Sequence, residues 1–414
     1  MIKIESICKR GGLMSTTYTE SLEREIWNMA EELDENEDFS KVIDFLNSEE
    51  GFQPFGKRLA AFIAKTLQLN ATDFKTIKDA LKKQRETTGV DISEIASDGT
   101  LRNWFDKGTS RKKGDDTRRH MFALAFALRL SVDDTKKLFH KIFLDRAFNY
   151  RSEREVIYYF CLKNNKTWAD AKRMIAEVES MTIDTSDHTQ LTNVIVQNVD
   201  VMSNEKMLLA YIRENGHNFE KNSLKAKEKL SCYLEQAKKY AKEEVEKIRE
   251  NEDDYDIDEN GNKIKLKKTF SGKCVNKVSD DLLYEIITGK EARGKKTVFK
   301  NAILPKEIKK RFPTAAIFSK VKKTSEEYRK VIILLFSFDF WYKIQNRQES
   351  YGLDDYTEDL NNILSNCNYP ELYYGNPFDW LFMFCTYTSV QEDLYTYYHH
   401  PLDLFQNLIE EIMK

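Results

Sequence analysis

Between Ser97 and Gly108 the chain reads Ser-Asp-Gly-Thr-Leu-Arg-Asn-Trp-Phe-Asp-Lys-Gly, and helical spacing sorts these residues into two sets. Leu101, Trp104 and Phe105 share one face, which leaves Thr100, Arg102 and Asn103 pointing elsewhere. An arginine can pair with a guanine edge and an asparagine with an adenine edge, each discriminating by ~1–3 kcal/mol, so the chemistry on offer is hydrogen bonding to bases. Ser97 or Asp98 is placed to cap this helix. Lys107, Arg111, Lys112, Lys113, Arg118 and Arg119 follow as candidate phosphate contacts, which add salt-dependent affinity rather than selectivity.

Catalytic constellations are missing. The chain has no glycine-rich phosphate loop, no Gly-x-Ser-x-Gly and no His-Glu-x-x-His, and apart from His399-His400 its histidines are scattered. Neighbours cannot share a helical face, so that pair reads as surface or capping rather than metal binding. Asp280-Asp281 and Asp354-Asp355 lack a third ligand and read as solvated charge. Cys8, Cys161, Cys232, Cys274, Cys367 and Cys385 include no Cys-x-x-Cys, which suits a reducing cytosol; Cys161 and Cys385 sit in apolar runs as small core hydrophobes. No cofactor, metal or catalytic residue is expected. No run approaches the ~20 apolar residues of a membrane span, so the expected location is cytoplasmic.

After a basic loop, the segment at 97–108 is followed by Met121-Phe122-Ala123-Leu124-Ala125-Phe126-Ala127-Leu128-Arg129-Leu130-Ser131. This order resembles the lambda-repressor-like (Xre) helix-turn-helix regulators. There, a recognition helix ends at a Trp-x-x-Gly-like element, and a Leu-Ala-x-Ala-Leu helix precedes a Ser-capped one. The resemblance covers about Thr72 to Phe143. It implies a bacterial or phage transcription regulator that binds DNA without catalysis, as a homodimer on paired half-sites. The chain departs from the pattern in a short Ile92–Ala96 scanning segment, in Gly99 at the turn, and in a loop lengthened over 109–116. These departures leave open base readout, backbone-only binding, or a fold reused for protein contacts.

With 414 residues, 41% hydrophobic and 12% aromatic, the chain can bury more than one core, while only 15 Gly and 6 Pro leave little to punctuate strands. The expected fold is mainly α: a multi-helical helix-turn-helix domain and a second helical C-terminal domain, with a small β-hairpin near 254–267. A net charge of −3 confines any nucleic-acid function to local patches. Residues 15–50 form an acidic helical segment, read as packing on the next domain, and Lys263–Lys323 is strongly basic. Lys9-Arg10-Gly11-Gly12 before Met14 can be encoded by a ribosome-binding sequence, so residues 1–14 are expected to be leader or disordered.

Residues 51–180 hold six or seven amphipathic helices capped by Thr or Ser, or at Thr72 or Asp73. The second of them is loaded with Lys75, Lys78, Lys82, Lys83 and Arg85. A helical connector spans 181–253, in which Met181–Val199 reads as linker or extended chain. A hairpin and basic loop region spans 254–303. Asp256, Asp258, Asn260 and Gly261 start like a calcium loop, but Lys267 stands where a bidentate Glu is required; Asn260-Gly261 between alternating apolar residues reads instead as a hairpin turn. Residues 304–414 form an aromatic-rich helical domain. In it, Phe312–Lys320 followed by Tyr328–Phe336 echoes Thr100–Phe105 followed by Arg118–Phe126. Aromatics cover nearly every face of the helix starting near Pro377, which means burial or a partner surface built on Tyr373, Tyr374 and Trp380. The second functional expectation is accordingly a component of a phage-defence or counter-defence assembly. It would grip a protein partner through those aromatics and touch nucleic acid without sequence preference.

Overall fold

The computed structural model describes residues 18–32, 39–48, 51–105, 115–181, 190, 192–219, 224–250, 255–257, 263–265, 278–288, 325–346, 353–367, 369–390 and 404–408. The architecture is mainly α. Local chemistry sets the helix starts. Asp73 accepts from the Thr76 amide at the head of α4 (Phe74–Thr88), which ends at Gly89 with φ of 71°. Ser131 and Ser152 cap α8 (Val132–Lys137) and α9 (Glu153–Lys163), and Thr167 with Asp170 forms a capping box on α10 (Trp168–Glu179). Beyond Lys137 the chain continues as a π-helical stretch, Leu138–Phe143. Tyr255–Ile257 and Lys263–Lys265 pair antiparallel, with Tyr255 opposite Lys265.

Two hydrophobic cores form. The first is built from α3 (Phe55–Leu67), α4, α5 (Ile92–Ile95), α6 (Asp98–Phe105), α7 (Asp115–Ala127), α8 with its π extension, α9, α10, α11 (Thr192–Asp200) and α12 (Glu205–Glu214). The second takes α13 (Leu224–Glu250), α14 (Asp280–Thr288), α15 (Ser325–Asn346), α16 (Leu353–Asn366), α17 (Pro377–Val390) and residues 404–408. The N-terminal helices α1 (Tyr18–Glu32) and α2 (Ser40–Asn47) join this second core. Leu22, Ile26, Phe39, Val42 and Leu46 are buried there, and Trp380 Nε1 donates to the Leu22 carbonyl at 3.1 Å. The acidic segment thus packs on the far end of the chain rather than on the helices that follow it.

One expectation changes, and one open alternative comes down on the side of burial. The stretch read as linker or extended chain contains α11, because Ile195 and Val199 bury against the first core and outweigh the poor helix propensity of its β-branched residues. The aromatic face of α17 is core: Phe378, Trp380, Phe382, Phe384 and Cys385 are buried on all sides. Trp380 is fully buried, Tyr373 packs beneath the His140 ring at 5.4 Å, and the Tyr374 hydroxyl reaches Glu23 Oε1 at 3.5 Å. Tyr373 and Trp380 are thus core residues, and Tyr374 is half-buried. Burial pushes the Cys161 thiol up to about 12 and Cys385 higher still, so both are inert packing groups.

The cores meet where the strap before α17, residues 369–376, lies on the π stretch and α3. His140 Nε2 hydrogen-bonds the Glu371 carbonyl at 3.0 Å, Lys141 stands 5.6 Å over the Tyr373 ring, and Arg58 Nη1 approaches the Gly375 carbonyl at 3.5 Å. Within the first core, a Cβ on Gly56 would come within 1.6 Å of the Trp104 carbonyl oxygen, so α3 and α6 touch through backbone.

Two outcomes follow from these contacts. Gly56→Ala forces that backbone contact apart and is expected to cost about 3 kcal/mol or more in urea unfolding. His140 is held below its ordinary pKa of 6.5, first by burial, then by the Arg329 charge, with Lys141 adding and Asp379 opposing. Its neutral form stabilises the fold above its unfolded pKa, and that contribution disappears as pH falls below about 6.5. The Tm difference between wild type and His140→Gln is therefore expected to shrink between pH 7.5 and pH 5.

Candidate nucleic-acid interface

Ser97 caps α6 as expected: its Oγ accepts from the Thr100 amide at 3.3 Å and lies 2.8 Å from the Thr100 hydroxyl. Leu101 and Trp104 are buried, the Trp104 ring meeting Phe55 edge-on at 5.7 Å, so the face assigned to the core is the core face. Arg102 and Asn103 are exposed and Arg119 is exposed on α7.

Other assignments change. Thr100 is turned inward, with its hydroxyl against Ser97, and presents nothing to a base. Arg118 is 4% exposed: Nε and Nη2 grip Glu155 at 2.7 Å each, and Nη1 reaches Asp145 at 3.1 Å. Its remaining donors serve the carbonyls of Arg146 and Ala147, which leaves no geometry for a phosphate. Asp98 does not cap but forms an ion pair with Lys78 and stands 3.8 Å from Arg102, and these hydrogen bonds and charges hold its carboxyl below the usual range. Lys107, Arg111, Lys112 and Lys113 lie outside the described residues.

The basic residues that the sequence loads onto α4 form a row along the helix. Lys75, Lys78, Lys82 and Arg85 recur at three, four and three residues, hence on one face, over a length of about 15 Å. Lys75, Lys82 and Arg85 are exposed and Lys78 half-buried; Lys83 is exposed on the neighbouring face. The row runs into α6 through Phe74, whose ring lies 5.3 Å from the Arg102 guanidinium and 6.3 Å from Phe105. Phe74 fixes the arginine by cation–π contact while its polar edge remains in solvent. At the other end Arg85 pairs with Asp91 at 2.9 Å, and Lys82, Arg85, Glu86, Asp91 and Ile92 line an open groove. The surface is thus a cationic strip with Asp98 and Asp91 at its ends and the exposed Asp79 and Glu86 along its side.

No group of His, Cys, Asp or Glu suited to a metal ion occurs among the described residues, and no helix there is long and apolar enough to cross a membrane. No protein-family model, no curated protein and no solved structure matches the chain.

Gly99 occupies the second position of α6, and a Cβ there would meet nothing within 4 Å. Gly99→Ala is accordingly expected to stabilise the protein by about 0.5–1 kcal/mol through helix propensity, measured as a shift in urea midpoint at constant m-value.

Proposed function

We propose that this protein is a non-enzymatic DNA-binding regulator that holds the duplex backbone with α4 and reads bases with Arg102 and Asn103 of α6. The observation that carries the reading is the continuity of the α4 row, Lys75, Lys78, Lys82 and Arg85, with the exposed, Phe74-supported Arg102. Phosphates contacted by such a row set position and salt dependence, while an adjacent arginine and asparagine supply selectivity.

Asp98 does not block this use of Arg102. An exposed ion pair is worth ~0–1 kcal/mol, less than the ~1–3 kcal/mol an arginine gains on a guanine edge, so the duplex wins the competition. The roles differ from the simplest helix-turn-helix expectation, since Thr100 and Arg118 belong to the scaffold and α4 takes over phosphate contact. A homodimer on two half-sites remains part of the proposal, because one eight-residue helix addresses few base pairs. Burial of Tyr373 and Trp380 favours this reading over one in which those aromatics grip a protein partner.

The test is a fluorescence-anisotropy titration of the full chain with a duplex from its own upstream region and a scrambled duplex, from low to physiological salt. Arg102→Ala is expected to lower affinity for the upstream duplex about 5- to 100-fold and to leave the scrambled one nearly unchanged. The pair Lys82→Ala with Arg85→Ala is expected to weaken both duplexes and flatten the log–log salt slope by about 2. Affinity and slope identical in wild type and both variants, or no binding at low salt, would overturn the proposal.

A further inference from the structure

Arg118 and Arg329 each stand near the head of an apolar helix, α7 and α15, and the carboxylate and backbone groups around them correspond at matching offsets, although Arg118 also pairs with Asp145 where the second copy has Tyr369. Arg118 is bidentate to Glu155 at 2.7 Å, and Arg329 is bidentate to Asp379 at 2.8 Å. Each carboxylate is the third residue of its helix, α9 or α17. Arg118 also donates to the carbonyls of Arg146 and Ala147, nine and eight residues before its carboxylate, at 2.9 and 3.0 Å. Arg329 donates to those of Pro370 and Glu371, again nine and eight residues before, both at 2.9 Å.

Six residues ahead of the carboxylate, the Asn149 amide donates to Glu155 at 2.6 Å and the Tyr373 amide to Asp379 at 3.1 Å. The turn closes identically, Ser152 N to Asn149 O and Asn376 N to Tyr373 O, each at 2.8 Å. Ser152 and Asn376 are then the N-caps, their side chains accepting from Glu155 N and Phe378 N.

The side chains follow the same register. Tyr150 and Tyr374 lie five residues before the carboxylate, and Phe160-Cys161 and Phe384-Cys385 lie five and six after it. Three residues after it, Tyr158 packs on Trp168 of the next helix at 5.3 Å, and Phe382 packs on Phe405 of residues 404–408 at 5.2 Å. Shared helical propensity explains apolar runs but not a common set of backbone acceptors at common offsets.

We infer that the chain carries one helical module twice, each copy pinned by an arginine–carboxylate clamp that shapes the strap entering the helix that bears the carboxylate, and that the second strap is the surface by which one copy grips the other. The first strap is met by the connector: Arg151, four residues before Glu155, donates to Thr192 Oγ1 at 3.1 Å and to the Asn218 carbonyl at 2.8 Å. The second strap is met by the first module, through Arg58 at Gly375, four residues before Asp379, and through His140 at Glu371 and Tyr373.

The test is hydrogen–deuterium exchange on the full chain. Glu155→Gln is expected to speed exchange of the amides in 146–152 about tenfold or more and to leave 370–376 at wild-type rates. Asp379→Asn is expected to do so in 370–376 and, because that strap is the grip, also in 138–143. His140→Ala keeps both clamps and is expected to speed 370–376 but not 146–152; it serves should the clamp variants fail to fold. Leu364→Ala, a cavity in the second core, is the control and should not single out the strap. Unchanged protection of 146–152 in Glu155→Gln, or of 138–143 in Asp379→Asn, would overturn the inference. So would unchanged protection of 370–376 in His140→Ala.

Discussion

Everything in this fold depends on supplying donors to carbonyls that the helices leave stranded. Where a chain turns between packed helices, its peptide oxygens are buried without a ladder to pair with, and an unmet acceptor costs ~1–3 kcal/mol. A guanidinium carries five donors in a rigid fork and can meet several such oxygens at once. Arg118, Arg151 and Arg329 each satisfy two backbone carbonyls, and Arg58 reaches Gly375 in the strap that Arg329 also holds. The carboxylates do the reverse, neutralising the charge and accepting the amides of Asn149 and Tyr373. Replacing a buried ion pair by apolar side chains is often harmless, but here it would orphan two carbonyls and an amide in each strap.

The clamps also explain how α7 and α15 tolerate long stretches that are apolar on every face. Met121 to Leu128 and Val331 to Phe336 are buried throughout, so these stretches offer no solvent side to fix the rotation of the helix. One charged residue near the start, tied to a distant helix, supplies the orientation that an amphipathic pattern normally provides. The same arrangement places the candidate interface away from the clamps: α4 and α6 close over Phe55 and Trp104, and their outward faces carry the basic row and Arg102.

Helix identity was legible from the sequence because its signals are local. Asp73, Ser131, Ser152 and Thr167 act within three residues of themselves, and the 3.6-residue spacing of Leu101 and Trp104 names the buried side of α6. Arg118 was read as a phosphate contact because it stands in a basic run, while its partner Glu155 lies 37 residues on. One local clue existed: no face of Met121–Leu128 is polar, so a residue at the head of that helix has few routes to water. The union of α1 and α2 with α17 was not legible, since Trp380 and the Leu22 carbonyl are 358 residues apart and chain order carries no trace of it. The α4 row lay in plain sight; what the sequence lacked was Phe74 as the platform that joins the row to Arg102.

One position shows how a single backbone serves two surroundings. Four residues before the carboxylate, the first strap has Arg151 and the second Gly375. Arg151 reaches outward, its guanidinium tying the connector at Thr192 and Asn218 to the strap. Gly375 does the opposite: a Cβ there would sit 2.5 Å from the Tyr373 ring, which is itself held against His140. Without a side chain, the strap keeps Tyr373 folded across it and leaves the Gly375 carbonyl open to an arginine arriving from the other module, Arg58. The donor has moved from strap to neighbour while the hydrogen-bonding requirement stays the same. In this way the identity of one residue selects whether the strap takes hold of a connector or is itself held by the other half of the chain.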